Sequence, residues 1–162
     1  MIVTDAARPG ATDREERMTT TTTPKLDAQE KALCRAINTF RAEHGKAPLK
    51  VSVALTRSAE WMSHDMASHD TFDHVDSHGR DFDVRLEAFG YHQPTKAENI
   101  AAGESSAAAT LAQWKASAPH RAILLKSRLK VMGVGRARNV NSMFDWYWTA
   151  DFGGTVTATM AI

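Results

Sequence analysis

A single cysteine, Cys34, is all the thiol chemistry in this chain of 162 residues. One cysteine excludes any disulfide within the chain, so packing has to stabilise the fold. No stretch approaches the ~20 consecutive apolar residues that cross a bilayer, which excludes a spanning helix. No charge of one sign dominates either: 20 Lys plus Arg face 19 Asp plus Glu. No global field therefore draws the protein to nucleic acid or to an anionic membrane. Internal repeats are missing, as are a G-x-S-x-G elbow, a phosphate-binding glycine loop, an H-E-x-x-H helix and a paired-cysteine zinc motif.

The segment MIVTDAARPGATDREERM carries acids and bases throughout and lacks the apolar core of a secretory leader. The threonine run Thr19 to Thr23, followed by Pro24, buries nothing useful. Residues 1–25 are expected to form a disordered extension and residues 26–162 one folded domain, a length suited to a single core.

That folded part is well supplied with apolar residues: 43% of the chain is hydrophobic and four tryptophans are present. Leu33, Ile37 and Phe40 recur at helical spacing before Gly45 and Pro48, and Cys34 sits in the same stripe as a small buried hydrophobe. Leu55, Ala59, Met62 and Met66 mark a second helix over 53–68. The run DFDVRLEAFGY reads as a short helix with Val84, Leu86 and Phe89 facing inward. Ser105 and Ser106 can cap a helix through Leu111 and Trp114, and Pro119 opens another short turn. KVMGVGRAR and MFDWYWTADFGG read as two strands joined by a turn over residues 139–142. AENIAAG is ambiguous between strand and loop. Helices first and strands last imply an α+β fold with an antiparallel sheet.

Three polar features stand out. In FDHVDSHGR, residues 72–80, His74 and His78 are four apart, with Asp73 and Asp76 interleaved. On a helix the pair could share a zinc, but Gly79 and the turn formers weaken the helix, and the aspartates equally suit backbone turns. Glu98 lies among uncharged neighbours that favour burial, where a carboxylate must find a partner or take up a proton. It is either a site residue or a carboxylate bonded to backbone amides. His120, between Pro119 and Arg121, has the setting of a capping or surface residue.

Taken in order, a larger set resembles the CAP superfamily of cysteine-rich secretory proteins, antigens and pathogenesis-related proteins, especially its short bacterial members. The set runs from Asn38, Arg41, Gly45, Pro48, Leu49 and Leu55 through Phe72, His74 and Gly79 to Arg85, Gly90 and Tyr91. It continues with Glu98-Asn99-Ile100, Gly103, Trp114, Ser117, His120 and Arg121, then Gly133-Val134-Gly135, Tyr147-Trp148 and Phe152-Gly153. The resemblance implies a three-layer α-β-α sandwich with a central antiparallel sheet, and a cleft in which His74 and His120 are metal-ligand candidates. Glu98 takes the place of the first cleft glutamate, and Ser117 stands where the second would fall. Ala97, Ile123 and Ala150 also depart from the pattern.

The resemblance further implies a binding or interaction module, more a binder than an enzyme, with zinc or another divalent cation held weakly by the two histidines. A hydrolase using a metal-bound or Glu98-activated water on a peptide, cell-wall or phosphodiester substrate is the alternative, and lipid or sterol carriage a third. Expected partners are a small molecule, a lipid or a cell-wall ligand acting on a monomer, with no nucleic acid. Location is expected to be secreted or cell-envelope by resemblance, while the missing leader and missing disulfide leave the cytoplasm open.

Overall fold

The computed structural model describes residues 22–162, so most of the expected disordered extension, residues 1–21, lies outside the described residues. Helix α1, Ala28–Glu43, starts at a capping box: Asp27 accepts from the amides of Gln29 and Glu30, and the Glu30 carboxylate accepts from the Asp27 amide. It buries Leu33, Cys34, Ile37 and Phe40. Burial pushes the Cys34 thiol up to about 12, so it is a packing residue and not a nucleophile.

Strand β1, Lys50–Ser52, leads straight into α2, Val53–His69, through a cap by Ser52; Asp70, with φ 52°, ends that helix. Then follow α3, Phe82–Ala88, and β2, Lys96–Ala102, which resolves the ambiguous AENIAAG as strand. Ser106 caps α4, Ala107–Ala116, and Pro119 occupies the first turn of α5, Ala118–Leu124. Strands β3, Val131–Asn139, and β4, Asp145–Gly153, form the expected hairpin, and β5, Thr159–Met160, closes the order. The sheet runs β2-β4-β3-β1-β5.

Its three long strands are antiparallel, as expected, but β1 pairs parallel with β3, so the sheet is mixed. Pairing between segments so far apart in the chain leaves no local mark on a three-residue strand. Val84 also departs from expectation: it is 51% exposed, while Leu86 and Phe89 are buried. A helix of seven residues is too short for spacing to define its inner face.

Register assigns each face of the sheet. On one face Ala97, Phe152 and Met132 line up across the strands, as do Asn99, Ala150 and Val134. This face packs on α1, α4 and α5 through Leu33, Ile37, Leu111 and Trp114. On the other, Glu98, Asp151 and Gly133 line up, followed by Ile100, Thr149 and Gly135. Helix α2 rests directly on the glycines: a Cβ at Gly133 would lie 2.1 Å from the Leu55 carbonyl carbon and the Thr56 nitrogen. With helices on both faces, nearly all of β4 is buried, including Tyr147 and Thr149 as well as Trp148.

Candidate functional site

The site begins at β2, whose successive side chains point to opposite faces. Glu98 points toward the α2 layer. Its Oε1 lies 2.7 Å from His74 Nδ1, on the loop between α2 and α3. Its Oε2 accepts from Nη2 of Arg85, a fully buried residue of α3. Arg85 Nη1 also donates to the His74 carbonyl at 3.1 Å, so one guanidinium holds both the carboxylate and the backbone of the histidine it faces. Asn99 points to the opposite face and donates through Nδ2 to the His120 carbonyl, 3.1 Å away on α5. Adjacent strand residues thereby anchor the two histidine segments from opposite sides of one edge strand.

His120 Nδ1 lies 2.7 Å from Ser117 Oγ. Burial first, and then the charge of His74, lowers the pKa of His120. Burial also lowers that of His74, reinforced by Arg85 and opposed by Asp73 and Asp151. Both rings are thus biased toward the neutral form that ligates metals or accepts protons.

Behind Glu98 stands a second acid. Asp151 is paired with it across β2 and β4 and is wholly buried. Burial, then the neighbouring Glu98 charge, raises Asp151 well above the usual carboxylate range, with Arg85 opposing. Glu98 is raised as well, by burial against the pull of Arg85. The one guanidinium bonds Glu98 and acts on Asp151 only through its charge, and at neutral pH the arrangement favours retaining a proton on the pair of carboxyls.

A cleft of about 330 Å³ opens beside this edge, lined by Phe72, Ile100, Ala102, Gln113, Trp114, Ser117, His120 and Phe144. Its wall is largely aromatic, with Phe72 and Phe144 rings 5.8 Å apart and both partly exposed. His120 and Ser117 line the cleft, whereas His74 does not.

The four-residue clamp in FDHVDSHGR does not form. The loop is non-helical; Asp73 accepts from the Val75 amide, and buried Asp76 accepts from the amides of His78 and Arg80 and from Arg80 Nε. Both aspartates are turn formers, as their residue type suggests. His78 rests edge-on against Trp61. Among the described residues no group of three or more His, Cys, Asp or Glu side chains is placed to hold a metal ion.

Sequence reasoning singled out His74, Glu98, Ser117 and His120, and the structure joins them as two bonded pairs, His74 with Glu98 and His120 with Ser117. It did not anticipate the contacts that Arg85 and Asn99 make, or the pairing of Asp151 with Glu98. Asp151 carries the signal that exposed Glu98: it is the only charge between Trp146 and Ile162.

Known proteins share this architecture. An outer surface protein from Borrelia burgdorferi superposes with a TM-score of 0.70 at 19% identity, over 82% of this chain and 98% of its own. An extracellular SCP-domain protein from Bacillus anthracis gives 0.69 at 24% identity, over 80% of this chain and 44% of its own. In sequence, YkwD of Bacillus subtilis is 30% identical over 150 residues, 92% of this chain and 56% of the relative. The chain thus spans little more than half the length of that relative. Residues 34–152, which contain His74, Glu98, Ser117, His120 and Asp151, match one family throughout, and the chain belongs to it: the cysteine-rich secretory protein (CAP) family.

Proposed function

We propose that this CAP domain is a binding module whose cleft takes a ligand with an apolar part, and that His74 and His120 hold a divalent cation weakly beside it. The orientation of the two rings carries this reading. Each imidazole has its Nδ1 engaged, by Glu98 in one case and Ser117 in the other. That leaves each Nε2 as the free nitrogen, and a carboxylate behind a histidine is the usual way a ligand ring is oriented. Neutral imidazoles suit zinc, which would polarise an oxygen bound to it. Two protein ligands fall short of a closed structural site, so the fit is to weak, solvent-completed binding.

Titration calorimetry with zinc tests the cation. Wild type is expected to give a saturable heat that disappears in His74→Ala and in His120→Ala; identical heats in all three would refute it. The aromatic wall of Phe72, Trp114 and Phe144 favours a lipid or similarly apolar ligand over a highly charged one. Mass spectrometry of organic extracts from the purified protein checks this, and an extract with no bound lipid counts against it. A hydrolytic role for Glu98 draws little support from a carboxylate that is fully buried with both oxygens engaged. The descriptions of the structural relatives as outer-surface and extracellular proteins support a secreted or envelope location.

A further inference from the structure

Ser117 does not do what its position asks of it. It is the N-cap residue of α5, where a serine oxygen ordinarily accepts from a first-turn amide. It makes no such bond and instead lies 2.7 Å from His120 Nδ1. Both side chains line the cleft, and both are partly exposed. A hydroxyl bonded to an imidazole at this distance, facing a space a substrate can enter, is the minimal arrangement of an activated nucleophile.

We propose that Ser117 and His120 form a nucleophile–base dyad that hydrolyses esters of apolar acyl groups, with the acyl chain seated against Phe72, Trp114 and Phe144. In the first step the Ser117 Oγ–C bond forms at the ester carbonyl while the hydroxyl proton passes to His120 Nδ1. The carbonyl π pair moves onto its oxygen. Collapse of that oxyanion breaks the bond to the leaving alkoxide, which takes the proton from Nδ1 and departs as the alcohol. Water then attacks the acyl-serine, giving its proton to the same nitrogen; the carbon–Oγ bond breaks, Oγ recovers the proton, and the acid leaves. Ester plus water becomes acid plus alcohol, with no other reactant. Gln113 also lines the cleft and gives one amide hydrogen to the Ala102 carbonyl at 3.3 Å. Its second amide hydrogen is a donor for the oxyanion.

The dyad does not rest on the cation reading, and the two make opposite demands on His120. As a base toward Ser117, the ring carries its proton on Nε2; as a metal ligand through Nε2, it carries it on Nδ1. Zinc bound at His120 is therefore expected to inhibit the esterase.

The 162-residue chain, in chelator, would be treated with a fluorophosphonate and followed by intact-mass and peptide mass spectrometry, with p-nitrophenyl butyrate turnover in parallel. Wild type is expected to gain one adduct on Ser117 and to show a burst of nitrophenol. Ser117→Ala loses both, and His120→Gln labels about a hundredfold more slowly, the usual scale of base assistance. Ser117→Cys guards against a folding artefact: it should react rapidly with iodoacetamide while buried Cys34 does not. Wild type with neither adduct nor burst would overturn the proposal, as would an adduct on another residue or equal labelling of Ser117→Ala. Zinc calorimetry on the same samples reports the cation separately, so either reading can fail alone.

Discussion

The two faces of one sheet have been given different work. Toward α1, α4 and α5 the strands present Ala97, Phe152, Met132, Ala150, Val134 and Trp148, all buried in one apolar cluster. Toward α2 and α3 they present Glu98, Asp151, Thr149 and two glycines, while the Ser63 hydroxyl of α2 donates to the Gly135 carbonyl at 2.9 Å and accepts from Thr149 Oγ1 at 3.0 Å. The first face is stabilised by area removed from water. Around Gly133 and Gly135 the second is packed closely enough, backbone against backbone, that small and polar residues replace bulk, and Ile100 and Tyr147 meet Met62 and Met66 farther along. A buried acid can be retained only where its partners are rigid, and the glycine-seated helix supplies that rigidity. The candidate site accordingly lies at the edge of the polar face, and the apolar face carries the stability that tolerates it.

The strongest challenge to this contrast is a matched pair of truncations. Phe152→Ala, on the apolar face, is expected to cost about 3–5 kcal/mol, read as a fall in the urea midpoint with an unchanged slope. Arg85→Leu should cost a comparable ~3–5 kcal/mol at neutral pH, because it leaves Glu98 and Asp151 buried without their counter-charge. Its deficit should shrink on acidification as those carboxyls are protonated, whereas that of Phe152→Ala should not. Asp151→Asn is the sharper companion, with the opposite sign. A carboxyl raised in the folded state gives stability below its unfolded pKa and loses it as pH rises toward the folded one. Asparagine is neutral without taking up that proton, so Asp151→Asn should stabilise the protein near neutrality, and a destabilised variant at pH 7 would refute the raised carboxyl as a cost of folding.

How much of this could be read from the chain depends on the same contrast. The apolar stripes Leu33-Ile37-Phe40 and Leu55-Ala59-Met62-Met66 appear in the sequence as they are buried in the fold, because helix spacing alone orients them. The site resisted. His74 and Glu98 were visible as residues, yet their bond spans 24 positions and is set by the β2 edge meeting a loop. Arg85 was a mark of resemblance and nothing more, since no local pattern says that an arginine on a seven-residue helix will neutralise a strand carboxylate. Strands β1 and β5 escaped because three and two residues hold no periodicity. Asp151 was hidden by the alternation read in MFDWYWTADFGG, which supposes one wet face. Both faces of that strand are covered, so an acid in its middle has nowhere to go but inward.

Close seating of α2 is tested by a smaller change. Gly135→Ala places a methyl 2.3 Å from the Glu60 nitrogen, a backbone atom that cannot swing aside. A loss of about 1–3 kcal/mol is expected. Strand propensity alone favours alanine over glycine, so a Gly135→Ala protein as stable as wild type would show that α2 gives way and would dissolve the packing argument.

The gentlest effect lies where the two helical layers meet. Strand β1 pairs with β3 only at Val131 and Met132, and beyond them the open edge of β3 is covered by Glu30 of α1, whose Oε1 accepts from the Arg136 amide at 2.9 Å. Glu60 of α2 lies within reach of that carboxylate. Burial, and then the Glu30 charge, raises Glu60 from its ordinary 4.5 to about 7, with Arg57 opposing. The folded protein then holds a proton that the unfolded chain has released between pH 4.5 and 7. Stability is fully present below that window and declines as pH rises through it. Glu60→Gln should flatten this decline by up to one proton's worth of slope, about 1.4 kcal/mol per pH unit at most and less for a side chain in partial contact with water. Urea midpoints measured from pH 4.5 to 8 for the two proteins should converge at the acid end and separate toward neutrality, with the variant above. Parallel curves would place the Glu60 proton elsewhere and leave the meeting of the layers electrostatically silent.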